Sequence, residues 1–273
     1  MLNGEFMRFC KESEDVTIKS LPDSIIALSE FLSSLPKDFQ VVISDVDSFK
    51  ELFSKDYRSG NWLYWKEMDE RIKLLWNTAH FKCNSVLQEI INSINHNNFL
   101  VTIILVRSLL EYAAILHYYC WKIVPTYHDT FSNPDIKKII SGEIKGVFTC
   151  KELEDLLILY SHGTRKNELI SLNEKWKAVH IQTRITFLSK NKDYNKAEEY
   201  YNELCEYAHP NQGTNRIFSD IEYKQDKFYI SSFTKEQKQN LNSFLELIAY
   251  PLGISCHIIQ NSIDLLMKTK VTE

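Results

Sequence analysis

The side chains best placed for chemistry are an arginine and a glutamate four residues apart. Arg107 and Glu111 lie within residues 99–124, the most apolar stretch of the chain. Residues at positions i and i+4 share one face of a helix, and an unpaired charge in an apolar helix is costly. Two interpretations are open. The residues form a buried ion pair that fixes helix packing, or they line a polar cavity in which the planar fork of the arginine grips a phosphate.

A second polar motif covers residues 201–211, with the sequence Tyr-Asn-Glu-Leu-Cys-Glu-Tyr-Ala-His-Pro-Asn. Glu206 and His209 are three residues apart, which makes them neighbours on a helix. A histidine beside a carboxylate can act as a general acid or base. In the alternative interpretation, His209 only ends the helix and Glu206 is a solvated or paired side chain. Tyr201 belongs to the apolar stripe that this helix is predicted to pack.

Metal binding is the third chemistry that we weigh. Cys205 and His209 are four residues apart, and the pairs His80/Cys83 and His117/Cys120 are similarly spaced. These pairs are scattered over predicted helices and lack the compact C-x-x-C ligand knuckles of structural zinc sites. The chain also lacks a phosphate-binding P-loop and the G-x-S-x-G nucleophile motif. We therefore expect no metal and no cofactor.

Composition and spacing predict an all-α, multi-helix bundle. Of 273 residues, 44% are hydrophobic and only seven are Gly and six Pro, which is few for a turn-rich β protein. Apolar residues at spacings of three and four predict a helix over residues 61–94. A second helix follows over 99–123 and is predicted to end before Pro125. A short helix over 24–35 is predicted to lie between Pro22 and Pro36.

One small β-hairpin is predicted near residues 216–233, because residues 216–223 and 227–233 alternate as strands do. A long helix then follows to about residue 267. We divide the chain into an N-terminal helical or irregular segment, residues 1–57, and a helical bundle domain, residues 58–273.

The chain is expected to be soluble and cytoplasmic. No apolar leader is visible in its first residues, and its six cysteines are expected to be free thiols of a reducing compartment. The apolar stretch 99–124 is interpreted as a core helix because Arg107 and Glu111 interrupt it, and a membrane span is the alternative. The formal net charge of −4 gives no global basic field for nucleic acid, although a local basic patch is compatible with it.

Together the two motifs resemble those of a group of bacterial helical proteins. An Arg-x-x-x-Glu in an apolar helix, followed by Tyr-x-x-Leu-Cys-Glu-Tyr-x-His-Pro-Asn, is similar to members of the HEPN (higher eukaryotes and prokaryotes nucleotide-binding) superfamily. The resemblance covers residues 61–211 and is most specific at 204–211. It implies a HEPN-like bundle that is often dimeric and acts in antiviral defence or toxin–antitoxin modules, either as a metal-independent ribonuclease or as a binding protein.

The ribonuclease motif of that superfamily is an arginine followed, after four to six residues, by a histidine. The closest spacings in this chain, Arg71 to His80 and Arg107 to His117, are longer. An active pair would therefore need residues from different helices. The first hypothesis is binding of RNA or a nucleotide, with Arg107 and His209 as catalytic residues.

In this first hypothesis, Glu111, Glu206 and Asn211 position the catalytic pair or contact the substrate. A homo-oligomer, or a partner protein of the same module, is expected. The second hypothesis is a non-catalytic interaction or regulatory module of a defence system. The third is a metal-dependent helical enzyme that uses Glu111, Glu206 and nearby histidines.

Overall fold

The computed structural model describes residues 2–42, 46–163, 165–171, 174, 177–209, 219–224, 227–232 and 241–269. Most of these residues are helical, which confirms the predicted all-α, multi-helix fold class. The helices are α1 (Gly4–Glu12), α2 (Val16–Ser34), α3 (Val46–Lys55), α4 (Tyr57–Asn95), α5 (Phe99–Ser132), α6 (Pro134–Ser141), α7 (Lys151–His162), α8 (Asn167–Ile170), α9 (Ile181–Leu188), α10 (Ala197–Ala208) and α11 (Leu241–Lys268). A 3₁₀ turn, Lys192–Tyr194, precedes α10.

The chain forms two compact units, each built from three stretches of sequence. The first comprises Met1–Ser34, Lys82–Ile115 and Ile181–Gln260, and the second comprises Leu35–Phe81, Leu116–His180 and Asn261–Glu273. The predicted boundary at residue 57 stays a prediction. Arg107 and residues 201–209 both belong to the first unit, so contacts between the two motifs are internal to that unit.

In the first unit, apolar side chains determine which faces of α5 and α10 are buried. Val106, Leu109 and Leu110 of α5 are completely buried, and so are Ala197 and Leu204 of α10. Burial of these side chains is the main favourable contribution to helix packing. It leaves the polar residues of both motifs at the border of the packed faces.

The start of α10 is held by hydrogen bonds from α9 and the turn that follows it. The side chains of Gln182 and Thr186 donate to Glu198 Oε1 at 2.9 and 2.8 Å. The backbone N–H of Glu198 donates to Ser189 Oγ at 2.8 Å, which satisfies one of the amides that a helix start leaves unbonded. These bonds fix the position of α10 and hence of the side chains one turn further on.

The second unit contains an irregular segment, residues 142–150, that is bound by side chains of α4. Asn61 is fully buried: its Nδ2 donates to the carbonyl of Gly146 at 2.8 Å, and its Oδ1 accepts from the N–H of Phe148 at 3.0 Å. Trp65 Nε1 donates to the carbonyl of Phe148 at 3.2 Å. The Tyr64 hydroxyl accepts from the N–H of Cys150 at 3.1 Å and donates to its carbonyl at 3.2 Å. The polar backbone of this segment is therefore paired without regular secondary structure.

Pro22, Pro125 and Pro251 lie inside helices. At Pro22 and Pro125 the predicted helix limits were wrong. The helix α5 continues past Pro125 to Ser132, and α2 begins six residues before Pro22. A proline removes the hydrogen bond to the carbonyl four residues earlier. For Pro125 that carbonyl belongs to Trp121, a residue that is 59% exposed and therefore lies on the solvent side of α5. Pro22 is buried, and its ring adds to the apolar face of α2.

Two short strands lie between α10 and α11. Ser219–Lys224 (β1) pairs antiparallel with Lys227–Ser232 (β2), with Ser219 opposite Ser232 and Lys224 opposite Lys227.

The helix α5 is long and apolar enough to cross a membrane if only length and composition are considered. In its most apolar window, 44% of the residues are buried inside the protein. This partial burial is consistent with the core helix of a soluble protein. The cytoplasmic location stays a prediction.

Candidate functional site

Arg107 of α5 joins the two polar motifs. Its Nε donates to Cys205 Sγ and its Nη2 to the hydroxyl of Tyr201, both at 3.2 Å. Nη2 also lies 3.0 Å from Glu111 Oε1, one turn further along α5. The guanidinium carbon sits 5.4 Å from the centre of the Tyr201 ring, within the range of a cation–π contact. Arg107 therefore links α5 to α10 through two side chains, Tyr201 and Cys205.

Tyr201 and Glu111 close this link into a ring of hydrogen bonds. The Tyr201 hydroxyl donates to Glu111 Oε1 at 2.9 Å, while it accepts from Arg107. Tyr201 itself is buried, and Arg107 and Glu111 are 23% and 27% exposed. Hydrogen bonds with one charged partner are stronger than neutral ones, at about 1.5–3 kcal/mol each. The ring thus orients the guanidinium of a side chain that is partly exposed.

The environment of the ring shifts the pKa of two of its members. Burial lowers the pKa of Arg107, but the hydrogen bond that it donates to Tyr201 and the charge of Glu111 outweigh this effect, and the net shift is upward. Burial, followed by the hydrogen bond and charge of Glu111, raises the pKa of Tyr201 to about 12, although the bond to Arg107 opposes this. Tyr201 is therefore a neutral hydrogen-bond donor at ordinary pH, and Arg107 is a permanent cation.

At alkaline pH, the free energy of unfolding of Tyr201→Phe is expected to fall less steeply with rising pH than that of the native protein. An unfolded tyrosine ionises near pH 10, whereas folded Tyr201 does so near 12. Between these values the unfolded state binds fewer protons, so the free energy of unfolding falls as pH rises. The free energy of unfolding can be measured with urea at increasing pH. Its slope against pH should be smaller in the variant, by the amount that corresponds to about one proton. Other tyrosines titrate in both proteins and cancel in the comparison. An identical slope would show that Tyr201 is not held neutral.

His209 lies one turn beyond the ring, at the end of α10. Its N–H donates to the carbonyl of Cys205 at 3.2 Å, and its backbone is extended, so the helix ends at Ala208. The side chains of His209 and Glu206 are exposed. Both residues thus belong to the helix end next to the Arg107 ring, and their roles in catalysis stay predictions. Asn211 lies outside the described residues.

Among the residues that the structure describes, one nitrogen of the Arg107 guanidinium makes no hydrogen bond. The hydrogen bonds of Arg107 use Nε and Nη2, and its Nη1 donates to no group in the described part of the chain. Charge-assisted bonds from a guanidinium to phosphate oxygens are short and directional. The arrangement can therefore present one preoriented N–H edge to a phosphate.

Tyr201 and Cys205 are the partners of Arg107 that sequence reasoning missed. Tyr201 was interpreted as a packing residue, and Cys205 was weighed only as a metal ligand. A usable signal exists, because the two residues are four apart and face the same side of α10. That face meets the face of Arg107 and Glu111, which have the same spacing.

No group of three or more His, Cys, Asp or Glu side chains with the placement of a metal site occurs among the residues that the structure describes. The six cysteines are free thiols, and Cys83 and Cys256 are buried. Burial raises the pKa of both thiols to about 12, which keeps them protonated and unreactive.

Comparison with protein-family models, curated proteins and solved structures finds no match to this chain. The geometry of the Arg107 ring and the chemistry of its side chains are therefore the guides to function.

Proposed function

We propose that the protein is a HEPN-like helical module of a bacterial defence or toxin system that binds RNA or a nucleotide through a phosphate. The proposed module includes the small hairpin near residues 216–233, and it works as a homo-oligomer or with a partner protein of the same module. One observation carries the proposal: Arg107 connects both polar motifs and keeps Nη1 available within the described residues.

Cleavage of bound RNA is the catalytic part of this proposal, and it needs no metal. His209 exchanges a proton with the 2′-hydroxyl or the leaving oxygen. Arg107 stabilises the charge that develops on the phosphate. Glu111 orients Arg107 by the 3.0 Å ion pair, and Glu206 and Asn211 contribute to positioning and substrate contact.

Arg107→Gln is expected to weaken binding of a labelled, unstructured oligoribonucleotide or of ATP by about 10- to 100-fold. Loss of one or two charge-assisted hydrogen bonds has this magnitude. Arg107→Lys should fall between the variant and the native protein, because the charge stays while the planar fork is lost. Fluorescence anisotropy gives the affinity for RNA, and calorimetry gives it for ATP.

The matched control is Arg8→Gln, which removes the same charge from an exposed position on α1 of the same unit. It should change affinity by less than about twofold at moderate salt. Equal losses in the two variants would mean that net charge alone drives binding. If the native chain binds neither probe, the proposal fails.

A second candidate function is a non-catalytic interaction module, and the charge of α10 favours it. This helix carries Glu198, Glu199, Glu203 and Glu206 and no basic residue. Such a surface repels a polyanion and suits a basic protein partner. A stable complex with the product of a neighbouring gene, unaffected by Arg107→Ala, would support this candidate over RNA binding.

A further inference from the structure

A groove of about 550 Å³ lies in the second unit, and none of its lining residues belongs to the Arg107 ring. Its apolar walls include the rings of Phe39 and Trp76 and the side chain of Met267. The Phe39 ring is held by stacking on Phe81, with ring centres 5.8 Å apart. This volume is within the range of sites for small molecules, and aromatic walls are typical of them.

One polar side chain beside this groove is buried and incompletely bonded. Asn77 is fully buried, and its Nδ2 donates to the carbonyl of Lys73 at 2.9 Å, which fixes the orientation of the amide. Its Oδ1 accepts no hydrogen bond within the described residues. Buried acceptors are normally satisfied, so a missing donor is expected at this place.

A second acceptor lies about two helical turns earlier on α4. Glu70 Oε2 is buried and accepts no hydrogen bond from the described residues. Lys73 Nζ lies 3.9 Å from this oxygen, which makes an ion pair but is too long for a hydrogen bond. Lys73 Nζ instead donates to the carbonyl of Gln40 at 2.8 Å.

The charges around the groove select among ligands. Asp38 and Glu70 bring two formal negative charges and Lys73 brings one positive charge, so the sum is −1. An anionic ligand would be repelled, whereas a cation would gain from both carboxylates. Aromatic walls add cation–π attraction for the same class of ligand.

We propose that this groove binds a small organic cation. Its aromatic or aliphatic body packs between Phe39 and Trp76, and its ammonium or amidinium group donates hydrogen bonds to Glu70 and Asn77. This site is independent of the phosphate site proposed at Arg107, because it lies in the other unit and selects the opposite charge.

Calorimetric titration with tryptamine and with indole-3-propionate tests the proposal. The two probes share the ring and the spacer and differ in the sign of their charge. Tryptamine should bind the full-length protein saturably, and indole-3-propionate should bind at least about fivefold more weakly. Absence of saturable tryptamine binding, or equal binding of the two probes, would overturn the proposal.

Two substitutions place the binding in the groove. Glu70→Gln should weaken tryptamine binding about fivefold or more, since it removes one of the two carboxylates. Glu152→Gln, on the exposed first turn of α7, is the matched control and should leave affinity unchanged. Val42→Lys, at a groove residue that is 63% exposed, should also weaken binding, and it decides the question if Glu70→Gln does not fold. Unchanged affinity in Val42→Lys would contradict the placement.

Discussion

His209→Ala is expected to lower the rate of RNA cleavage by about 10²- to 10⁴-fold, the usual contribution of a general acid or base. The thermal midpoint should stay nearly the same, because the side chain is exposed and α10 ends at the residue before it. Exposed substitutions of this kind change stability by no more than about 0.5 kcal/mol. A fluorophore-and-quencher oligoribonucleotide measures the rate, and circular dichroism measures the midpoint.

The control for this prediction is His162→Ala, which removes an exposed histidine from the last turn of α7. It should leave both the rate and the midpoint unchanged. If His209→Ala lowers the midpoint by several degrees, the histidine is structural. If the native protein binds RNA without cleaving it, phosphate binding at Arg107 survives and the catalytic role of His209 is lost.

Trp65→Ala is expected to reduce the free energy of unfolding by about 3–5 kcal/mol, the range for truncation of a buried aromatic residue. Trp65 is fully buried and lies between aromatic neighbours, with ring centres 4.8 Å from Phe131 and 5.8 Å from Phe148. The substitution also leaves the carbonyl of Phe148 without its 3.2 Å hydrogen bond. Urea unfolding followed by circular dichroism gives the free energy without relying on tryptophan fluorescence.

Trp62→Ala is the matched control for Trp65→Ala. It lies three residues earlier on α4, is 49% exposed and makes a cation–π contact with Lys66 at 4.8 Å. Its expected loss is below about 1 kcal/mol. Similar losses for the two tryptophans would show that residues 142–150 are not packed on Trp65. If Trp65→Ala does not fold, Trp65→Phe should still lose more stability than Trp62→Ala.

Much of the fold follows from local patterns in the sequence. The apolar period over residues 61–94 predicts α4, and the structure has it at Tyr57–Asn95. The helix limits at Pro22 and Pro125 were predicted wrongly, because a rule based on local sequence assigns the same energetic cost to every proline inside a helix. For Pro125 the penalty depends on whether water reaches the carbonyl of Trp121, which is a property of the folded protein.

Less of the candidate site was predictable. The pairing of Arg107 with Glu111 follows from their spacing on one helix. The contact of Arg107 with Tyr201 joins residues 94 positions apart, and only the packing of α5 and α10 creates it. Tyr201 also serves in the apolar stripe of α10, so its type and position favoured a packing role. Its hydroxyl belongs to the candidate site only because the packing of α5 on α10 brings Arg107 and Glu111 within hydrogen-bonding distance of it.

The binding of residues 142–150 by α4 has a consequence for how the protein tolerates sequence variation. Asn61, Tyr64 and Trp65 bond to carbonyl and N–H groups, which every residue except proline carries. Most side chains of the segment are thus free to diverge without loss of its path. Phe148 and Gly142 are exceptions. The Phe148 ring stacks on Trp65, and Gly142 has a left-handed backbone with a φ of 80° that other residues rarely adopt. The constraint falls instead on Asn61, Tyr64 and Trp65 of α4, about 85 positions earlier in the chain. Even a conservative exchange such as Asn61→Asp removes the amide N–H donors that bond to two carbonyls.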